Sequence, residues 1–253
     1  MIGSKIFTAL INLSASNFLY RCCRRYVNSY DNQNNVDMRS NGELCWLQEV
    51  LPACFTIFDV GANVGEWTAL ALEINPSLQV HCFEPSAATY RFLQAHVTSS
   101  SVFLNQKALG ASRGEYPLYV SGPGAGTNSL HKRTAPNLIQ NQTENIYVET
   151  LDAYCEAHAV KEIDLLKVDV EGHELEVLKG AINLFKEGRI RRIQFEYGGT
   201  YIDARILLKD MFDFLIPFGY RIYKMYPNYL RLFEQYDQRL ENFQYQNLVA
   251  LKS

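Results

Sequence analysis

The chain has no run of about 20 apolar residues, the length that a membrane-crossing helix needs, so no segment reads as transmembrane. It has no excess of positive charge. Its 24 Lys and Arg against 27 Asp and Glu leave a net charge of −3, which supplies no global field toward DNA, RNA or an anionic bilayer, and nucleic acid is not expected as a partner. Its six cysteines form no C-x-x-C pair, and Cys54 and Cys82 sit in apolar runs. The set reads as reduced, packed thiols of a cytoplasmic protein. There is no internal repeat, which excludes a solenoid. What is present is 253 residues with 47% apolar content, enough for one large α/β core and too little for two comfortable domains.

Near the N-terminus, Lys5 precedes an apolar run from Ile6 to Leu13, and Ser14-Ala15-Ser16 follows in the manner of a signal-peptide cleavage site. Asn12 interrupts the run and Arg21, Arg24 and Arg25 come after it. That pattern suits an amphipathic capping helix with a solvated basic face. Residues 26–42 are polar, so residues 1–41 form an extension and linker, and the domain proper occupies residues 42–253.

Within the domain, β-rich runs alternate with helical patterns. The expected strands are Phe55 to Val60, Val80 to Phe83, Val102 to Leu104, Tyr116 to Val120, Ile163 to Val170, Arg192 to Tyr197, Tyr220 to Met225 and Leu248 to Leu251. The expected helices include Glu66 to Asn75, Ser86 to His96 and Glu174 to Phe185. Alternation of this kind implies a parallel sheet with right-handed crossovers. The two last strands, joined without a helix, predict an antiparallel hairpin at the sheet edge. The Gly-rich stretch 121–129 is a candidate lid.

Two motifs carry chemistry. In the first, Phe58-Asp59-Val60-Gly61-Ala62-Asn63-Val64-Gly65, a buried strand turns into a helix. Gly61 and Gly65 admit close passage of a ligand, the helix N-terminus offers free N–H groups, and Glu84 ends the next strand within reach of a ribose. Asp59 is there to order the loop or to meet a cationic ligand. In the second, Leu165 to Glu174, an apolar strand ends in four ionisable groups. In an extended segment Asp169, Glu171 and His173 fall on one side and face one cleft. The bland alternative makes Glu171 or Glu174 a helix cap and leaves His173 solvated.

Asp59 to Gly65, Phe83-Glu84-Pro85, Lys107-Ala108-Leu109-Gly110, Thr150-Leu151-Asp152, Lys167 to Glu174 and Phe195-Glu196 occur in one order along residues 42–253. In these the chain resembles the FkbM-type S-adenosylmethionine-dependent methyltransferases. The resemblance implies an α/β class I methyltransferase fold: a Rossmann-like three-layer sandwich with a seven-stranded, mostly parallel sheet, order 3-2-1-4-5-7-6, and an antiparallel edge strand. It implies S-adenosyl-L-methionine as cofactor, with Asp59, Gly61, Asn63 and Gly65 at its methionine end and Glu84 at its ribose. Asn105 and Gln106 would adjoin adenine, although neither is the acidic residue often found there.

The expected reaction is transfer of a methyl group to a hydroxyl oxygen, with a sugar of a glycan, glycolipid or glycosylated metabolite as acceptor. Such an oxygen is a poor nucleophile until its proton is leaving, so a base is needed. His173 titrates nearest neutrality and is the first candidate, while Glu171 would orient it or act as base itself, with Asp169 beside them. Asp152, Asp169 and Glu171 are an oxygen-rich alternative for a divalent cation, although no paired spacing demands one and no metal is assigned. The clustered Tyr197, Tyr201, Tyr223, Tyr226, Tyr229 and Tyr245 suit either sugar stacking or a core.

Two other readings compete. Tyr220 and Lys224 have the Tyr-x-x-x-Lys spacing of an NAD(P)-dependent oxidoreductase, but in an aromatic run that favours a strand, where the pair would not act as on a helix, and Asn63 breaks G-x-G-x-x-G. A non-catalytic nucleotide-binding module would keep the glycine loop without needing the polar end from Asp169 to His173.

Overall fold

The computed structural model describes residues 16–135 and 138–252. The apolar run from Ile6 to Leu13 lies outside the described residues. Helix α1, Ser16–Tyr30, opens the described chain and is followed by α2, Glu43–Val50.

The central strand β1, Thr56–Val60, is buried along nearly its whole length, as expected for a β-branched and aromatic run inside a parallel sheet. Around it lie β2, Gln79–Phe83; β3, Val102–Asn105; β7, Leu165–Val168; β8, Arg192–Tyr197; β9, Tyr220–Tyr226; β10, Tyr229–Leu232; and β11, Gln246–Lys252. The sheet order is β10-β9-β11-β8-β7-β1-β2-β3. From β3 to β9 this reproduces the expected 3-2-1-4-5-7-6, and β10 adds an eighth strand. β11 runs antiparallel to both β8 and β9, and β10 pairs antiparallel with β9 at the edge. The late hairpin is therefore β9 with β10, and Leu248 to Leu251 belongs to a strand inserted between β8 and β9.

Helices cover both faces. On one, Trp67, Leu70 and Ala71 of α3, Glu66–Ile74, pack with Leu93 of α4, Ala87–His96. On the other lie α5, Leu151–Ala157; α6, Glu174–Lys179; α7, Ile182–Lys186; α8, Thr200–Ala204; and α9, Leu208–Leu215. The helix expected over Glu174 to Phe185 is thus broken in two. Gly180 presses on the chain beside it so closely that a Cβ there would lie 2.1 Å from the Gly110 carbonyl oxygen. The Asp152 carboxylate then accepts the N–H groups of Asn183 and Leu184 at 2.9 and 3.0 Å. A small separate sheet, absent from the sequence reading except for Tyr116 to Val120, joins β4, Ala108–Leu109, β5, Gly114–Val120, and β6, Gln142–Glu149, in the order β4-β6-β5.

Half of the tyrosine cluster is core: Tyr197, Tyr201 and Tyr226 are buried, Tyr223 and Tyr245 are half-buried and Tyr229 is exposed. Tyr220 and Lys224 lie on strand β9, and the Tyr220 hydroxyl donates to the Ile190 carbonyl at 2.5 Å. All six cysteines are free; Cys54, Cys82 and Cys155 are buried, whereas Cys22, Cys23 and Cys45 are exposed rather than packed. Helix α1 does not cap the domain, because its apolar side chains are as exposed as its arginines.

The sheet turns direction of growth between β1 and β7, and there the structure buries an ion pair. Asp59 and Lys167 are register partners. The Lys167 ammonium lies 2.9 Å from the Asp59 carboxylate, which also accepts the Thr68 hydroxyl at 2.7 Å. The Asp59 side chain is fully buried and Lys167 nearly so. Burial pulls the lysine pKa down, but the charges of Asp59 and Asp169 outweigh it and the net direction is up. Removing one member of a buried pair leaves an uncompensated charge, at a cost of about 3–5 kcal/mol. Asp59→Ala should lose about that much in urea unfolding, and Asp59→Leu with Lys167→Met should recover most of it. An Asp59→Ala loss below about 1 kcal/mol would show that the pair does not hold the two strands.

Candidate functional site

A crevice opens at the C-terminal ends of β1 and β7, the place where an open parallel sheet changes winding direction and binds ligands. One wall is the turn from β1 into α3. Gly61 and Gly65 have φ of +83° and +89°, and Asn63 also sits in the left-handed region at +47°. A Cβ at Gly61 would lie 1.8 Å from the Asp169 carbonyl oxygen, so only glycine lets the two strand ends meet there. The turn is tied to the next strand: Gly61 and Ala62 N–H groups both donate to the Phe83 carbonyl at 3.0 Å. Asn63 Oδ1 is buried and has no hydrogen-bond partner.

Glu84 lines the same crevice. Its carboxylate accepts the Asn63 N–H at 3.1 Å and the Ser86 N–H at 2.9 Å. Burial raises its pKa to about 7 despite those two bonds. Asp59 lies beneath the crevice and is fully used by Lys167 and Thr68. The cation that meets Asp59 is thus an internal lysine. Asn105 donates to the Cys82 carbonyl and the Tyr154 hydroxyl at 3.0 and 3.1 Å, and Gln106 is exposed. Neither belongs to the crevice wall, where Ala108, Leu109, Leu118 and Leu130 supply an apolar patch instead.

The opposite wall comes from the end of β7. Chain extension stops at Val168, and Glu171 and Gly172 have φ of +57° and +102°. Asp169, Glu171 and His173 therefore do not alternate along one side of a strand; a turn brings all three to the crevice. Glu174 accepts the N–H groups of Val170 and Gly172 at 3.1 and 3.2 Å and so holds that turn.

Each of the three has its own surroundings. Asp169 lies 3.6 Å from the Lys167 ammonium. Glu171 is paired with the Arg133 guanidinium, which also stands 3.7 Å from Asp203. The Glu171 pKa is raised to about 8, first by burial and then by the Asp169 charge, with Arg133 acting against both. His173 Nδ1 faces His131 Nε2 at 3.2 Å. Burial, helped by His131, lowers the His173 pKa to about 4 and keeps the ring neutral.

Glu196 of β8 joins them through a hydrogen bond with Asp169, and burial next to that carboxylate holds its pKa well above the usual range. Among the described residues, Asp169, Glu171 and Glu196 bring carboxylate oxygens within 4.8 Å of one another, a spacing that a divalent cation can bridge. Asp152 is far from this group in role, since it caps α7. Glu196 carried a weak signal in sequence, a lone acid in an apolar strand. Arg133, in a polar loop, carried none.

The Gly-rich loop lies over the crevice. Ala125, Gly126, Asn128 and Ser129 line it, and the Ser129 hydroxyl donates to the Glu171 carbonyl at 2.7 Å. Val36 and Tyr245 complete the rim.

A family model described as the methyltransferase FkbM domain matches residues 59–222, from the end of β1 into β9. The chain belongs to the FkbM methyltransferase domain family. It is 28% identical over 142 residues to Methyltransferase 1 of Beauveria bassiana, covering 49% of this chain and 57% of that protein. It is 28% identical over 156 residues to the hexuronic acid methyltransferase AglP of Haloferax volcanii, covering 61% of each. This FkbM chain thus spans less than two thirds of the length of both relatives. The crystal structure of methyltransferase FkbM from Methylobacillus flagellatus superposes with a TM-score of 0.50 at 14% identity, over 94% of this chain and 71% of that one, a likeness of fold.

Proposed function

We propose that the protein is an S-adenosylmethionine-dependent methyltransferase that methylates a hydroxyl oxygen of a sugar. The observation that carries the reading is one crevice with a glycine turn and Glu84 on one wall and the Glu171 carboxylate on the other. The residues fit the cofactor. Asn63 Oδ1 is a buried acceptor without a donor, which a methionine ammonium would supply, and Glu84 directly follows β2 where ribose hydroxyls would reach it. The apolar patch of Ala108, Leu109 and Leu118 offers a flat base a dry surface. When bound, the cofactor supplies an electrophilic methyl group on a sulfonium. The sugar preference is drawn from one relative's name, hexuronic acid methyltransferase, and the hydroxyl preference from the need for a base beside the crevice.

In this reading Glu171 is the base. Its carboxylate would take the proton of the acceptor hydroxyl as that oxygen is methylated by the bound cofactor. Arg133 fixes the Glu171 carboxylate, and Ser129 fixes its backbone. His173, turned to His131 and held neutral with a low pKa, shapes the wall. The NAD(P) reading loses its support because Tyr220 and Lys224 sit on a core strand.

Two outcomes test this. A carboxylate hydrogen bond contributes about 1.5–3 kcal/mol, so Glu84→Ala should weaken S-adenosylhomocysteine binding about 10- to 150-fold in titration calorimetry. Because ribose donors favour the ionised form of Glu84, wild-type affinity should rise as pH rises through about 7. Unchanged affinity in the variant removes Glu84 from the cofactor site.

The base must be ionised to act, so turnover should climb with pH along a limb near 8. Glu171→Gln should lower kcat by about 10²- to 10⁴-fold with cofactor affinity nearly intact. His173→Ala should keep the limb near 8. If His173→Ala abolishes turnover and Glu171→Gln does not, the roles are exchanged.

A further inference from the structure

The first 30 residues hold Lys5, Arg21, Arg24 and Arg25 and no acidic residue, in a chain whose net charge is −3. Global charge therefore conceals a basic segment. At 100° per residue, helix α1 sorts its side chains into two arcs. Leu19, Cys22, Cys23, Tyr26, Val27 and Tyr30 share one, with Phe18 and Tyr20 at its margins. Arg21, Arg24 and Arg25 share the other with Asn17 and Asn28. An arc this apolar is normally buried, yet Tyr26 is 71% exposed, Tyr30 70% and Phe18 75%. The domain leaves this face uncovered.

We infer that α1 is a membrane-surface helix whose occupant is an anionic lipid bilayer. The apolar arc would enter the boundary between headgroups and chains, while the three arginines meet lipid phosphates or carboxylates. Tyrosines, apolar with a polar tip, suit that depth. Charge complementarity favours this occupant, because α1 carries three arginines and no acidic residue. Among the described residues no helix is long and apolar enough to cross a membrane, and α1 with its 15 residues is shorter than a span requires.

The helix is also tied to the crevice. Asn32 Nδ2 donates to the Asn41 and Met225 carbonyls at 2.6 and 3.0 Å, and the Asn34 N–H donates to the Tyr245 carbonyl at 2.9 Å. The strap between helix and domain thus lies along the rim, where Val36 and Tyr245 line the opening. A helix seated on lipid carries the crevice mouth with it.

The test is co-sedimentation of the full chain with vesicles of phosphatidylcholine alone or with about 30 mol% phosphatidylserine, at low and high salt. The protein should pellet with the anionic vesicles, not with the neutral ones, and be released by salt. Arg21→Gln/Arg24→Gln/Arg25→Gln should weaken binding about 100-fold, and Leu19→Ser/Tyr26→Ser should weaken it at least tenfold. Both variants should bind S-adenosylhomocysteine as the wild type does, which shows that the domain is folded and keeps this result separate from the fate of the proposed reaction. Absence of the wild type from the anionic pellet overturns the inference. So does binding that neither variant changes, or a lipid-free dimer that light scattering detects and Leu19→Ser/Tyr26→Ser dissolves.

Discussion

The rest of the structure depends on a buried lysine that has to be neutralised. Lys167 sits on β7 beside Asp59 of β1, two strands that are far apart in sequence and adjacent in the sheet. An unpaired ammonium there would be prohibitive, so the register of the central pair is fixed by charge as well as by apolar packing. The same ammonium reaches Asp169, the first residue beyond the strand, and lies 5.7 Å from the centre of the Trp67 ring. It thereby joins the buried strand pair, the helix that follows the glycine turn and the wall of the crevice. Gly61, forced against the Asp169 carbonyl, closes the same junction from the backbone side.

From that junction the crevice acquires its electrostatics. Asp169, Glu171 and Glu196 crowd one wall, and two cations, Lys167 and Arg133, are too few to balance them. Burial and mutual repulsion push Glu171 and Glu196 upward, so protons are held where a reaction can use them. On the facing wall the glycine turn presents a buried oxygen on Asn63 that finds no donor within the chain. One wall presents a buried acceptor without a donor and the other a cluster of carboxylates, so the two walls differ in the chemistry they offer. The positive φ at Asn63 and at Glu171 marks both walls as places where the backbone is held off its preferred conformation.

The N-terminal region follows a different logic. Its basic residues and its uncovered apolar arc are segregated from the acidic body, and the strap from Asn32 to Asn41 brings both to the rim of the crevice. Surface charge organised in this way acts over about a Debye length, roughly 8 Å at physiological salt, and so works through a neighbouring surface rather than at the reacting atoms.

The sequence by itself determined the alternation of strands and helices, the glycine turn and the family, because these rest on short-range periodicity and on residues that must sit side by side in the chain; the strand order from β3 to β9 was implied by the family resemblance. It also marked Glu84, Glu171 and His173, whose positions at strand ends follow from the same local pattern. Only the tertiary structure decided their partners. Arg133 reaches Glu171 from a loop with no local signal, and His131 from the same loop meets His173. Asp152 became a helix cap because Gly180 breaks the helix against Gly110, a contact between distant segments. Asn105 turned into the sheet toward the Cys82 carbonyl and the Tyr154 hydroxyl. In each case the deciding energy is the pairing of a polar group or strand edge with a partner remote in sequence, and a period read along one segment carries no information about what will lie across from it.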